Sequence, residues 1–205
     1  MISVLTPSVR PQGLETTRTS LLSQTFRDFE WLTELNASGK PDLNHAYNRM
    51  LRRAKGELIV SLQDNIEIGP DALQRCWDYY QKHPTRFVTF PVSQGSPDKW
   101  DWRGVQPEHR AQYMDWEIDF GMAPKKLLCD IGGFDEHLDS LTWGYDNVNV
   151  GLRAEMAGYE IWSNPEIRAN GLPHERKTFR DKQRALLHAQ RLEEIQNGFQ
   201  IPTLI

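Results

Sequence analysis

The sequence predicts an α/β domain, a mostly parallel central sheet flanked by helices. Three observations predict it. Short apolar runs alternate with segments of helical periodicity along the first ninety or so residues, the order that builds a parallel sheet with crossover helices. The third apolar run, Leu58, Ile59, Val60 and Leu62, stops at Gln63, Asp64 and Asn65, a polar triplet where a buried strand would end. Finally, 205 residues with 39% hydrophobic content and seven Trp suffice for one good core, so a single domain is expected.

The elements follow in order. Ile2 to Leu5 form a first strand, broken by Thr6, Pro7 and Ser8, and Leu14, Leu21 and Leu22 mark a helix ending near Gln24. Phe29 to Leu35 is a second strand, left through a loop at Asn36, Ser38, Gly39 and Pro41. Leu43, Ala46, Tyr47, Met50, Leu51 and Ala54 share one helix face, and Gly56 closes that helix before the third strand. Pro70 and Asp71 suit the first turn of a helix over 71 to 83, and Arg86 to Phe90 read as a fourth strand. From Pro91 to Gln112 no period is visible; a loop of that length is expected to serve function, with Trp100, Trp102 and Tyr113 packing on or over a site. Beyond it come a short helix from Ala123 to Asp130, a turn at Gly132 and Gly133 that needs positive φ, and an amphipathic helix from Val148 to Met156. A short strand from Tyr159 to Trp162 and a charged helix over 178 to 197 complete the chain.

Net charge narrows the partners. At −4 the chain has no overall basic field of the kind that recruits nucleic acid, although Arg49 to Lys55 and Arg176 to Arg191 are locally basic. Cys76 and Cys129 each lie in an apolar helical pattern, so two buried thiols in a reducing compartment are expected. The start MISVLTPSVR lacks a signal-peptide pattern, and no window approaches the ~20 apolar residues of a membrane span. A soluble, cytoplasmic location follows as the expectation, the host cytoplasm if the source is viral.

Open α/β sheets bind ligands at the carboxyl ends of their strands, which makes the triplet a candidate site. The structural alternative for Asp64 is a helix cap or a turn.

Four blocks, taken in order and spacing, resemble the family 2 glycosyltransferases with the GT-A fold: ISVLTPSVR, LNHAYNRMLRRAKGE, SLQDN, and GGFDE followed by WGYDNVNVGLRAEMAGYEIW. The resemblance covers about residues 2 to 175. It implies inverting transfer of a sugar from a nucleotide-diphosphate sugar, with a nucleotide-binding part over about 1–90, an acceptor-side part over about 91–175, and 176–205 as a charged helix and tail on the same domain. Thr6, Pro7, Ser8 and Arg10 match the loop along the base and ribose. Asn36 falls where the family has an Asp on uracil, so the donor is read as a UDP-sugar, and Asn48 matches a polar position in the helix behind the nucleotide. Gln63, Asp64 and Asn65 match the acidic triplet that holds a divalent cation, Mn²⁺ or Mg²⁺, and His174 matches a histidine that completes that site. Asp146 and Asn147 match the acidic pair opening the acceptor-side helix, where a carboxylate acts as base.

Departures from the pattern are as informative. Two of three triplet positions are amides, whereas hard cations prefer several charged oxygens; cations such as Arg10, Arg176, Lys177 or Arg180 could instead neutralise the leaving diphosphate. An amide cannot take a proton, so Asp146 rather than Asn147 is assigned as the base, with Asp115, Glu117 and Asp119 in reserve and a plain helix cap as the structural alternative. Trp116, Glu117, Gly133, Trp143, Gly144 and Asn147 are placed on the acceptor or donor-sugar side, against core packing for the aromatics and a turn for the glycine. The acceptor is open among a glycan, a protein and hydroxymethylated bases of viral DNA. Rival functions are a catalytically silent nucleotide-sugar-binding module and a nucleotidyltransferase, although the glycine-rich, lysine-bearing loop common in the latter is missing.

Overall fold

The computed structural model describes residues 1–36, 42–94, 102–141, 145–172 and 182–204. Its centre is β1 (Ile2–Ser8), buried at every position and paired in parallel with β2 (Phe29–Leu35) on one side and β3 (Leu58–Leu62) on the other. Between these strands run α1 (Pro11–Leu22) and α2 (Leu43–Arg53), the crossovers that the alternating pattern requires. After β3 follow the short β4 (Ile66–Ile68), α3 (Ala72–Lys82), β5 (Arg86–Thr89), β6 (Val92–Gln94) and β7 (His109–Arg110). The second half adds β8 (Phe120–Pro124), α4 (Lys125–Asp130), α5 (Leu138–Leu141), α6 (Asp146–Met156), β9 (Glu160–Ser163), β10 (Ala169–Gly171) and α7 (Lys182–Gln196).

The main sheet has seven strands in the order β2-β1-β3-β8-β5-β9-β7, and β4-β10-β6 form a small second sheet. Five strands of the main sheet, β2, β1, β3, β5 and β9, run in one direction, the mostly parallel sheet expected, and β8 and β7 run against them. β8 inserts antiparallel between β3 and β5, with Leu62 opposite Phe120 and Val88 opposite Met122. Its five residues, FGMAP, are all buried, so no alternation betrays them, and the sequence pattern places only the helix that follows. Gly121 is required there, since a Cβ would stand 2.4 Å from the Glu117 carbonyl oxygen.

Alternation along β1 and β3 divides the core in two. Ile2, Val4, Leu58, Val60 and Leu62 meet Leu21 of α1 and Leu73 and Cys76 of α3 on one face. Leu5 and Ile59 meet Tyr47, Met50 and Leu51 of α2, Leu128 of α4 and Val150 and Ala154 of α6 on the other. Cys76 is buried as expected, whereas Cys129 is only partly buried; both are free thiols. Among the described residues no helix is long and apolar enough to cross a membrane.

Candidate functional site

Because β1 and β3 are parallel neighbours, the residues beyond their carboxyl ends emerge side by side. Asp64, 4% exposed, is held there by two groups from the β1 end. The Ser8 hydroxyl donates to its Oδ2 at 2.6 Å, and the Arg10 guanidinium forks onto both oxygens, Nη2 to Oδ1 at 2.5 Å and Nε to Oδ2 at 3.3 Å. Ser8 Oγ also accepts the Arg10 backbone N–H at 2.8 Å, so the arginine is fixed at both ends. The first turn of α1 presses on the same point: a Cβ on Gly13 would lie 2.5 Å from the Asp64 carbonyl oxygen. Around this knot, Thr6 Oγ1 accepts the Trp31 indole N–H at 2.9 Å, Pro7 stands opposite Glu34, and the Asn36 N–H reaches the Ser8 carbonyl at 2.8 Å. The Asn65 carbonyl accepts the Leu172 N–H at 2.8 Å.

A second carboxylate lies at the start of α6. Asp146 is also 4% exposed, and Asn44, in the first turn of α2, donates its Nδ2 to Asp146 Oδ1 at 2.6 Å and to Asp139 Oδ1 at 2.9 Å. Asp139 accepts the backbone N–H groups of Asn44 at 3.1 Å and His45 at 3.0 Å, and meets His45 Nδ1 at 2.8 Å. No side chain at the N-cap of α2 caps that helix, so a residue of α5 does. Next to Asp146, Asn147 Nδ2 donates to the Trp116 carbonyl at 2.9 Å and to Glu117 Oε2 at 3.0 Å. Tyr145, which precedes Asp146, has φ 63°, the sole non-glycine left-handed residue among those described. That conformation costs about 1–2 kcal/mol, and it sets the direction from which Asp146 enters the site.

The segment before β8 joins the two halves. The Asp119 carbonyl accepts the Gln63 N–H at 3.0 Å, while Trp116 and Glu117 receive Asn147. Fully buried Tyr47 lies among the carboxylates: burial pushes its phenol upward, and the charges of Asp119, Asp146 and Asp64 push it further the same way. The phenol itself donates to the Ile118 carbonyl at 3.3 Å.

Several expected site residues are used elsewhere. Trp116 is only 1% exposed and meets Phe87 edge-on at 6.0 Å, so its ring offers no face to a sugar; its carbonyl, not its ring, reaches the site. Asn48 donates its Nδ2 to the Phe134 carbonyl and accepts the Phe134 N–H at its Oδ1, each at 2.8 Å, locking the GGFDE turn to α2 rather than facing a nucleotide. Gly132 and Gly133 have the positive φ values expected, 89° and 67°, and Gly133 passes its carbonyl to Arg153 at 2.8 Å. Asp115 caps a local turn through the Gln112 N–H at 2.8 Å. Trp143, Gly144, His174, Arg176 and Lys177 lie outside the described residues, as do Trp100 and Arg180. Asn44 and Asp139 were not singled out from sequence. A signal existed for Asn44, which together with Asn48 interrupts the apolar stripe of α2 with polar residues that the structure buries. A cleft of about 480 Å³ between α2, the GGFDE turn and the C-terminal tail is lined by neither Asp64 nor Asp146.

No family model and no curated protein matches the sequence. Solved structures do share its shape. TarS 1-349 of S. aureus in complex with UDP-GlcNAc superposes with a TM-score of 0.71 at 13% identity, over 98% of this chain and 68% of that one. GalNAc-T7 with UDP, GalNAc and Mn²⁺ gives 0.70 at 12% identity, over 95% and 48%. The fold is GT-A. TarS 1-349 also matches at a TM-score of 0.63 and 15% identity, over 83% of this chain, which spans 60% of that one.

The GT-A resemblance implies a divalent cation at the triplet, and the described residues there do not fit one. Asp64 is its single carboxylate, and that carboxylate already holds a guanidinium and a hydroxyl. Gln63 and Asn65 bring neutral amides. A hard cation would have to enter against the positive Arg10 with one charged ligand. A separate His-carboxylate triad is present: Asp42, His45 and Asp139 have ligand atoms within 4.8 Å of one another. In the structure Asp139 there caps the positive end of α2, and Asp42 also receives Arg49 at 2.7 Å.

Proposed function

We propose that the chain is a glycosyltransferase that moves a sugar from a UDP-sugar to an acceptor hydroxyl with inversion. One observation carries the proposal: two buried carboxylates, Asp64 and Asp146, lie at the carboxyl-end edge of a GT-A sheet, the first braced by Ser8 and Arg10 at the end of β1 and the second at a helix start, bonded to Asn44. A neighbour of this shape was solved with UDP-GlcNAc and another with UDP and GalNAc, which supports a UDP-sugar as donor. In this reading Thr6, Pro7, Ser8 and Asn36 border the nucleotide and Arg10 meets the diphosphate. Asp146, as general base, takes the acceptor's proton as the hydroxyl oxygen attacks the anomeric carbon, and the UDP oxygen departs with the bonding electrons. Asn44 orients Asp146, while Glu117 and Asn147 flank the acceptor. A sugar hydroxyl of a glycan or a protein side-chain hydroxyl is the acceptor class; base-modified DNA would demand steeply salt-dependent DNA affinity.

Titrating UDP and UDP-sugars by calorimetry and following UDP release tests the proposal. Micromolar to millimolar binding with slow hydrolysis is expected, and the first anomer released, read by proton NMR, should be inverted. No UDP release from any UDP-sugar, despite measurable binding, would favour a silent binding module. The amides at Gln63, Asn65 and Asn147 support that second reading.

A further inference from the structure

The charge arrangement at Asp64 carries a further step, which rests on the nucleotide-sugar reading. A nucleotide diphosphate needs positive charge where it binds and where it leaves. At the triplet that charge is already present in the protein. Arg10 is 36% exposed at its side chain and Asp64 only 5%, so the ion pair has a buried anionic side and an open cationic side. Nε and Nη2 of Arg10 face Asp64, leaving Nη1 and the second hydrogen of Nη2 outside that fork. A planar guanidinium suits paired phosphate oxygens.

A second feature points the same way without involving the ion pair. Arg10 occupies the N-cap of the twelve-residue α1, whose first turn has no acidic residue and which begins with Pro11. The positive end of a helix favours an anion and disfavours a cation. Guanidinium and helix end therefore reinforce each other for a diphosphate and together oppose a divalent ion.

We infer that Arg10, braced by Asp64 and Ser8 at the start of α1, supplies the positive charge for the donor diphosphate, and that nucleotide binding at this edge needs no divalent cation. Asp64 is then a positioning residue that orients Arg10, not a metal ligand.

Calorimetric titration of the full chain with UDP and with uridine, in EDTA and in Mn²⁺, tests this. UDP affinity should agree within about threefold between the two conditions. Arg10→Gln should weaken UDP by at least about tenfold in both, and Arg10→Lys should fall between, because an ammonium cannot fork. Uridine affinity should not change in either variant, which separates loss of phosphate binding from loss of fold. Tightening of UDP by Mn²⁺ of about tenfold or more, abolished in Asp64→Asn, would overturn the inference while leaving the nucleotide-sugar reading intact. Equal loss of uridine and UDP in Arg10→Gln would also overturn it, making the arginine structural. A chain that binds UDP under no condition would overturn the nucleotide-sugar reading itself, and this inference with it.

Discussion

Asp64 and Asp146 are equally buried, each 4% exposed, and lie on the same edge of the sheet, yet different elements brace them, the start of α1 for the first and the start of α2 for the second. Asp64 is gripped by a guanidinium, and its charge is neutralised within the protein. Asp146 receives the neutral amide of Asn44 at 2.6 Å and begins a helix. In the proposed reading the β1–β3 edge fixes a cation and the start of α6 presents the base.

The largest effect should come from breaking the second half of that contrast. Asp146→Asn preserves shape and leaves an oxygen for Asn44, but removes the proton acceptor. UDP-sugar turnover should fall by about 10³-fold, within the range for loss of a general base, while UDP affinity stays constant. An active variant would remove Asp146 from the chemistry and send the search to Glu117 or Asp119.

Next in size is the seating of α6. A Cβ on Gly151 would come within 2.0 Å of the Tyr113 carbonyl oxygen, in the turn that leads to Trp116 and Glu117. Gly151→Ala should therefore push α6 off that segment, costing about 1–3 kcal/mol as overpacking does, read as a lower Tm. Asp64 and its arginine lie on other elements, so UDP affinity should outlast turnover. Loss of both together would mean that the two halves are one mechanical unit.

Asp139 comes third. It caps α2 from outside and shares Asn44 with Asp146. Asp139→Ala should lower stability by about 1–2 kcal/mol, the usual worth of a cap, and should also slow turnover by releasing Asn44. Unchanged turnover in a destabilised variant would reduce Asn44 from positioning residue to packing.

These contrasts also show how far the sequence could be read. The β1–α1–β2–α2–β3 phrase was legible because its periods are clean and Gly56 marks a helix end. β8 was not, because a five-residue strand buried on both faces and carrying a glycine and a proline has no period to detect. The position of Asp64 was legible from where an apolar run stops, but its partner was not. Arg10 is fifty-four positions away in sequence and meets it only because β1 and β3 are parallel neighbours. Trp116 misled for a related reason: its neighbours Asp115 and Glu117 are polar, and only the fold reveals that the ring turns inward while the carbonyl faces the site.

The smallest effect concerns the helix that backs the α6 half. α7 is tied to the GGFDE turn by Arg191, whose Nε donates to Asp135 Oδ2 at 2.7 Å, and one turn earlier His188 lies 4.8 Å from the ring of Tyr145, the residue before Asp146. His188 is 2% exposed, with no partner for either ring nitrogen among the described residues. Burial lowers its pKa from the ordinary 6.5, so the folded chain binds this proton less readily than the unfolded chain. The stability linked to it is complete above pH 6.5 and is lost as the pH falls through 6.5 toward the lower folded value. His188→Leu should remove that dependence. Its Tm should equal or exceed that of the natural chain near neutrality, because two unpaired buried nitrogens are gone, and the gap should widen in favour of the variant as the pH drops. Thermal melts of both proteins at several pH values measure that gap. A gap that stays constant with pH would mean that burial leaves the His188 imidazole as easily protonated in the folded chain as in the unfolded one.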